Sequence, residues 1–308
     1  MALQIFRLQA QHCQVYRDYI FHLGVDPAII TDYHQIPFLP ISFFKSHTVV
    51  SSAAPAAITF SSSGTTGQST SKHVVTDLYM YEKSFNAAFA EFYGQAEDYC
   101  ILALLPSYLE REGSSLIYMV DALLQQSKHS SSGYFLHDLD RLFDTLQQLK
   151  KTRQRTLLIG VTYALLDFVE QFQPDFAELI VMETGGMKGK RKEMVREELH
   201  EILTKGFGVE KIHSEYGMTE LLSQGYSAGN GIFNCPPWMK ILLRDTADPL
   251  SLVQHKSSGG INVIDLANIN SCAFIATQDL GKTHANGSFE VLGRFDHSDI
   301  RGCNLLVQ

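Results

Sequence analysis

The chain has 308 residues, 45% of them hydrophobic and 19% charged, with 19 Phe and 13 Tyr. That is enough apolar side chain to bury a sizeable core as one large α/β domain or two small ones. A formal net charge of −8 argues against a nucleic-acid partner, because binding to a phosphate backbone is driven by Lys and Arg contacts. The N-terminal stretch Met1-Ala2-Leu3-Gln4-Ile5-Phe6-Arg7 lacks the basic-then-apolar order of a signal peptide, and no apolar run is long enough for a membrane span. The five cysteines, Cys13, Cys100, Cys235, Cys272 and Cys303, are scattered and never form a CxxC pair. They predict reduced thiols in a cytoplasmic protein, with neither a zinc knuckle nor a disulfide framework.

In chain order, apolar residues at helical spacing predict one amphipathic helix over 3–23, ended by Gly24. Pro37 and Pro40 then exclude a helix, so 36–45 is expected to be extended and packed on the body of the protein. Strands are predicted at 57–60, 99–105, 156–161 and 178–182, and helices at 138–150, 162–172 and 188–204. Short strands separated by helices indicate βαβ units and a mostly parallel sheet covered on both faces. After Pro236-Pro237 the segments at 241–243, 260–264, 273–276 and 289–292 are β-rich and separated by Gly, Asn and Asp, with 257–260 expected as a surface loop. The organisation expected is an α/β core over 1–235 and a β-rich subdomain over 236–308.

Three stretches carry chemistry. In the first, Phe60-Ser61-Ser62-Ser63-Gly64-Thr65-Thr66-Gly67-Gln68-Ser69-Thr70-Ser71-Lys72, glycines admit close approach to a ligand, and hydroxyls and amides can donate to phosphate oxygens. It is not a P-loop, and a serine-rich surface loop is the equal alternative. In the second, His213-Ser214-Glu215-Tyr216-Gly217-Met218-Thr219-Glu220, an aromatic ring, a tight turn, a hydroxyl and a carboxylate could stack a base, hold a phosphate and ligate Mg²⁺. The alternative is a helix N-terminus with Thr219 as cap and Glu220 as first-turn acid. The third runs from Thr277-Gln278-Asp279-Leu280-Gly281 to Gly293-Arg294-Phe295-Asp296. There Asp279 could accept from both ribose hydroxyls and Arg294 could pair with a phosphate or carboxylate, or the residues could simply form two β-turns.

The order of these stretches, Ser-Ser-Gly-Thr-Thr-Gly, then Tyr-Gly-Met-Thr-Glu, then Asp, then Gly-Arg-x-Asp, resembles the adenylate-forming superfamily of acyl- and aryl-CoA synthetases, over about 58–302. The resemblance implies ATP and Mg²⁺ as cofactors. Ser62, Ser63, Gly64, Thr65, Thr66 and Gly67 would hold the β- and γ-phosphates, and Gly185 and Gly186 would border the adenine pocket. Tyr216, followed by Gly217, would stack on adenine, and Thr219 would contact the α-phosphate. Glu220 would hold the magnesium ion and Asp279 the ribose, with Arg294 completing the set. Two departures stand out. The first motif usually continues Gly-x-Pro-Lys, whereas here Gly67 leads through Gln68-Ser69-Thr70-Ser71 to Lys72, which leaves Lys72 open as a phosphate ligand. Most relatives also continue past Gly-Arg-x-Asp into a mobile C-terminal domain with a catalytic lysine, which this chain is expected to lack.

One branch is similar in that respect, the LuxE-like acyl-protein synthetases. Ile36-Pro37-Phe38-Leu39-Pro40, Pro106-Ser107-Tyr108-Leu109-Glu110-Arg111-Glu112-Gly113, Glu183-Thr184-Gly185-Gly186-Met187-Lys188-Gly189 and Ile300-Arg301-Gly302-Cys303-Asn304-Leu305 resemble it. Members of that branch pass the acyl group from AMP to a cysteine near the C-terminus, and Cys303 stands five residues from the end. Arg301 beside it would favour the thiolate and Gly302 would give the backbone freedom, although a structural thiol in a terminal strand is the plainer alternative. Tyr108 and Glu112 rank lower as substrate contacts where a strand ends, as does His213 beside the second motif.

The expected function is activation of a carboxylic acid, by resemblance a fatty acid, to acyl-AMP, with transfer to Cys303 and then to an acyl-accepting reductase or acyltransferase partner. An acyl- or aryl-CoA ligase is the alternative enzyme, and a non-catalytic nucleotide-binding scaffold the alternative of another class.

Overall fold

A computed structural model describes residues 1–62, 70–107, 109–111, 113–185, 190–192, 194–253 and 258–295. The N-terminal segment is two helices, α1 (Ala2–His12) and α2 (Gln14–His22), where the periodicity predicts one. The break is at Cys13, which is fully buried with extended backbone. On an unbroken helix Phe6 and Tyr16, ten residues apart, would point about 80° away from each other at 3.6 residues per turn. The break lets both rings reach Phe274 at 6.1 and 6.2 Å. The proline-flanked segment is extended as expected only through β1 (Leu39–Pro40), which pairs in parallel with Ile275 and Ala276. Beyond it the chain turns into α3 (Phe43–Ser46).

A hairpin of β2 (Ile58–Ser61) and β3 (Lys72–Val75) follows, in register Ser61↔Lys72, and leads to α4 (Leu78–Tyr93), capped by the Asp77 carboxylate. Then β4 (Cys100–Leu104), α5 (Ser115–Ser127), β5 (Gly133–Tyr134), α6 (Leu139–Thr152), β6 (Thr156–Val161), α7 (Thr162–Gln171), β7 (Ile180–Thr184), α8 (Arg196–Phe207) and β8 (His213–Tyr216) alternate. Strands β5, β4, β6, β7 and β8 pair in parallel. β4 and β6 are buried at every position, as continuous apolar runs covered on both faces must be. Helix α8 starts at Arg196, later than the charged stretch predicts, because Arg191 is drawn to α7 instead. Its guanidinium pairs with Asp167 and, at 2.6 Å, with Glu170.

After β8 the pairing turns antiparallel through β9 (Gly225–Ser227) and β10 (Phe233–Asn234). β11 (Met239–Arg244), β12 (Leu252–Val253), β13 (Ser258–Asp265), β14 (Phe274–Thr283) and β15 (Phe289–Arg294) extend the same sheet in the order β12-β11-β13-β14-β15-β10-β9-β8-β7-β6-β4-β5. Residues 258–260, expected in a surface loop, instead open β13. A Cβ at Gly260 would stand 2.5 Å from Cζ of Arg244, so glycine is what lets that guanidinium pass.

Two cores result. One lies around the parallel strands, and the other joins α1, α2 and β1 to Tyr216, Phe233 and the strands from β11 to β15. Gln9 ties the second core to the chain just after β13. Fully buried, it donates to Asn268 O (2.9 Å) and Ile269 O (3.0 Å) and accepts from Ala273 N (2.9 Å). Truncating it strands the buried Ala273 N, while Ile269 O keeps Ser51 Oγ and Asn268 O keeps Ser271 N, so Gln9→Ala should cost about 1–3 kcal/mol, read as a lower urea midpoint with an unchanged slope.

Candidate active site

Strand ends set the site. The parallel strands β4, β6, β7 and β8 all end on one side, where ligands of open α/β sheets bind, and Thr184-Gly185 and Tyr216-Gly217 are the ends of β7 and β8. There Thr184 Oγ1 donates to Glu215 Oε2 at 2.8 Å. A Cβ on Gly217 would push the Glu215 carboxylate away from its bond with Thr184.

Thr219 and Glu220 sit in a turn after which no helix follows, contrary to the helix-start alternative. The segment after the turn is held instead by the buried Asp265 at the end of β13. Its carboxylate accepts from Leu222 N (2.7 Å), Ser223 Oγ (2.5 Å) and Ala267 N (3.2 Å). Burial still pushes the Asp265 carboxyl upward despite these bonds. The turn's carbonyls face inward as well: Asn268 Nδ2 donates to Glu220 O at 2.8 Å, and His73 Nδ1 lies 2.9 Å from Thr219 O. Burial pushes His73 down to about 4, so near neutral pH the ring holds one proton. Thr219 O and Asn268 Oδ1 can both only accept, so a single ring proton serves one of them, and the shorter contact places it on Nδ1. The 3.1 Å contact between Nε2 and Asn268 Oδ1 then has no proton and is the weak link of the set.

The first and second motifs meet here. Ser71 N donates to Ser62 Oγ (2.9 Å) and Ser62 N to Ser71 O (3.1 Å), tying together the two flanks of the first motif. Ser71 is 2% exposed and Glu220 5%. Burial pushes the Glu220 carboxyl up, opposed first by the Ser71 hydroxyl and then by the charges of Arg294 and Lys45.

The third motif joins through the β14–β15 register, which sets Asp279 opposite Arg294. Tyr216 Oη donates to Asp279 Oδ2 at 2.9 Å, and Arg294 Nε stands 3.5 Å from Asp279 Oδ1 with its own side chain in solvent. Burial raises the Asp279 carboxyl, while the Tyr216 hydroxyl, Arg294 and Arg244 lower it. The Tyr216 ring packs edge-on against Phe233 (6.0 Å) and Phe289 (5.4 Å), so buried aromatics hold it while its hydroxyl reaches Asp279.

Ser62 and Ser71 thus adjoin Glu220, Tyr216 and Arg294 meet at Asp279, and the Arg294 charge is felt at Glu220, with Gly185 and Gly217 at the neighbouring strand ends. His213 stands apart: it begins β8, about 10 Å along the strand from Tyr216 at 3.3 Å per residue. Its Nδ1 lies 3.1 Å from the Tyr93 hydroxyl under α4, and burial pushes it down to about 4. Lys72 is exposed at the start of β3. Ser63, Gly64, Thr65, Thr66, Gly67, Tyr108, Glu112, Gly186 and Cys303 lie outside the described residues.

Sequence reading missed Asp265, Asn268, His73, Arg244 and Lys45. Only His73 carried a usable signal, since it falls on the inward phase of an alternating strand that starts at the first motif.

A large sheet that changes from parallel to antiparallel carries the second motif at the end of β8 and the third on β14 and β15, beside the separate β2–β3 hairpin that flanks the first, and this matches the adenylate-forming fold. The structure resembles 2-hydroxyisobutyryl-CoA ligase in an open conformation in complex with 2-HIB-AMP and CoA, with a TM-score of 0.71 at 13% identity. That match covers 96% of this chain and 68% of the ligase. It also resembles ATP-bound MatB from Rhodopseudomonas palustris, with a TM-score of 0.57 at 18% identity, covering 79% of this chain and 49% of MatB. The family model of the acyl-protein synthetase LuxE matches residues 1–308, and the chain belongs to that family. No curated protein matches it in sequence. Among the described residues no helix is long and apolar enough to cross a membrane.

A buried carboxyl held above its ordinary value costs stability whenever it is ionised. For Glu220 the cost is absent below the ordinary glutamate pKa and grows as pH rises through the folded value. Glu220→Gln should therefore raise the Tm of the ligand-free protein at pH 7 by about 2–4 °C. The gain should disappear in calorimetric scans at acid pH.

Proposed function

We propose that the protein activates a carboxylic acid, most simply a fatty acid, with ATP to give acyl-AMP and pyrophosphate, and that Cys303 then takes the acyl group as a thioester. Membership in the acyl-protein synthetase family supports the overall reaction. The observation that carries the reading is that Ser71 meets Glu220, and Tyr216 and Arg294 meet Asp279, around the exit from β8. A carboxylate oxygen attacks the α-phosphorus, the new O–P bond replaces the bond to the β-phosphate oxygen, and pyrophosphate leaves. Charge builds on the α-phosphate oxygens, where the Thr219 hydroxyl and the Arg294 guanidinium are the available donors. Asp279, oriented by Tyr216, is placed to accept from ribose hydroxyls.

A buried carboxyl with so little compensating charge suits a cation, so Glu220 fits a magnesium ion. Among the described residues no cluster of three or more His, Cys, Asp or Glu could hold a metal. The ion would therefore depend on Glu220 and the substrate's phosphates, the usual arrangement for magnesium. When bound it would neutralise phosphate charge.

In the second step Cys303 Sγ attacks the acyl carbon, the bond from that carbon to the AMP oxygen breaks, and AMP leaves with the electron pair. The remaining cysteines are poor candidates for this step. Burial pushes Cys100 to about 11 and Cys235 to about 12, and raises Cys13 and Cys272 as well, so none offers a ready thiolate. The thioester would then pass to a reductase or acyltransferase partner.

Intact-protein mass spectrometry after incubation with MgATP and a mixture of fatty and aryl acids tests the sequence of steps. A hydroxylamine-labile acyl adduct is expected on the wild type and absent from Cys303→Ser, which should still release pyrophosphate. AMP release with no adduct on either protein would favour a CoA or separate-protein acceptor, and an adduct on both would move the acyl group to another residue.

A further inference from the structure

The strand that follows the first motif reaches the Thr219–Glu220 turn with two successive inward side chains. In β3 Lys72 and Val74 point away, whereas Ser71, just before the strand, and His73 are buried at 2% and 0% exposure. Ser71 stands by the Glu220 carboxyl, and His73 donates from Nδ1 to Thr219 O at 2.9 Å. Asn268, also fully buried, donates to Glu220 O at 2.8 Å. Two consecutive carbonyls are thereby fixed, one on each side of Glu220. Fixing the peptide planes on both sides of a residue leaves its Cα–Cβ bond a single direction.

The holders are themselves held. Phe44 of α3 packs edge-on against the His73 ring at 5.6 Å and 89°. Asn268 receives Gln9 Nε2 on its carbonyl, and its own amide donates to Asp265 O at 3.0 Å. Burying an imidazole and an amide is costly unless their hydrogen bonds are made, and an apolar side chain could fill the space against Phe44. The polar pair gives up that simpler packing to fix the turn.

We propose that His73, together with Asn268, is a positioning residue that aims the Glu220 carboxylate and the Thr219 hydroxyl at the metal-bound triphosphate. The identity of that target rests on the acyl-adenylation reading above; the aiming itself rests on the contacts. Because β3 is continuous with the Ser62–Ser71 closure, the same strand carries both that closure and the contact with the Thr219–Glu220 turn.

The test compares His73→Ala, His73→Asn and His73→Gln, each checked for folding by circular dichroism. The asparagine amide nitrogen takes the place of Nδ1 and can still donate to Thr219 O. The glutamine nitrogen takes the place of Nε2 and cannot. Acid-dependent ATP–pyrophosphate exchange is expected to fall about 10–100-fold in His73→Ala, the usual effect of removing a residue that orients a metal ligand. It should recover largely in His73→Asn and stay low in His73→Gln. Calorimetric titration gives a second readout: magnesium should tighten ATP binding to the wild type and to His73→Asn, but not to His73→Ala or His73→Gln, with magnesium-free affinity equal in all four. If His73→Ala fails to fold, the contrast between Asn and Gln decides alone. A magnesium gain equal in all folded variants would overturn the inference while leaving the proposed function standing. A wild type that binds no ATP would overturn both.

Discussion

The carboxylate of Asp265 joins the two kinds of sheet. It lies at the end of β13, in the antiparallel strands, and accepts from Leu222 and Ser223 in the segment that leaves the last parallel strand. It thereby ties the segment that follows Glu220 to the antiparallel strands. Asn268, three residues on, takes the next carbonyl of that segment, and Gln9 anchors Asn268 from the first helix. One buried acid and its neighbours therefore connect the N-terminal helices, the antiparallel strands and the parallel sheet at the point where the motifs meet.

Such a junction is expensive. Burial raises the carboxyls of Glu220, Asp265 and Asp279, and a protein chosen for stability alone would replace them with neutral groups. Their compensation is uneven. Asp265 has three hydrogen-bond donors, and Asp279 has the Tyr216 hydroxyl with Arg294 and Arg244 nearby. Glu220 has chiefly the Ser71 hydroxyl and two more distant cations. The least compensated of the three stands where the resemblance to adenylate-forming enzymes puts the metal, which is the arrangement expected if a bound cation completes it.

The alternation of apolar strands and helices was legible because buried parallel strands need unbroken runs such as 99–105 and 156–161. The site motifs were legible because Gly217, Asp279 and Arg294 stand at fixed spacings near Gly- and Ser-rich segments. What supports them was not. Asp265, Asn268 and Gln9 act across the fold, and nothing local to a buried Asp or Gln in sequence says which distant amide it will meet. The break at Cys13 was hidden for a similar reason, since helical periodicity is satisfied on both sides of it and only the shared contact with Phe274 requires it. The start of α8 was misplaced because a charged stretch looks helical until Arg191 finds its partners on another helix.

The central claim is that three stretches distant in sequence form one nucleotide site in which a carboxylate attacks the α-phosphate. Exchange of labelled pyrophosphate into ATP measures that step alone, before any thiol acceptor is needed. The account predicts exchange that requires both magnesium and a carboxylic acid, and that is abolished in Glu220→Gln although the variant stays folded. Exchange that persists undiminished in Glu220→Gln, or a wild type that shows none with fatty or aryl acids while still binding ATP, would contradict it.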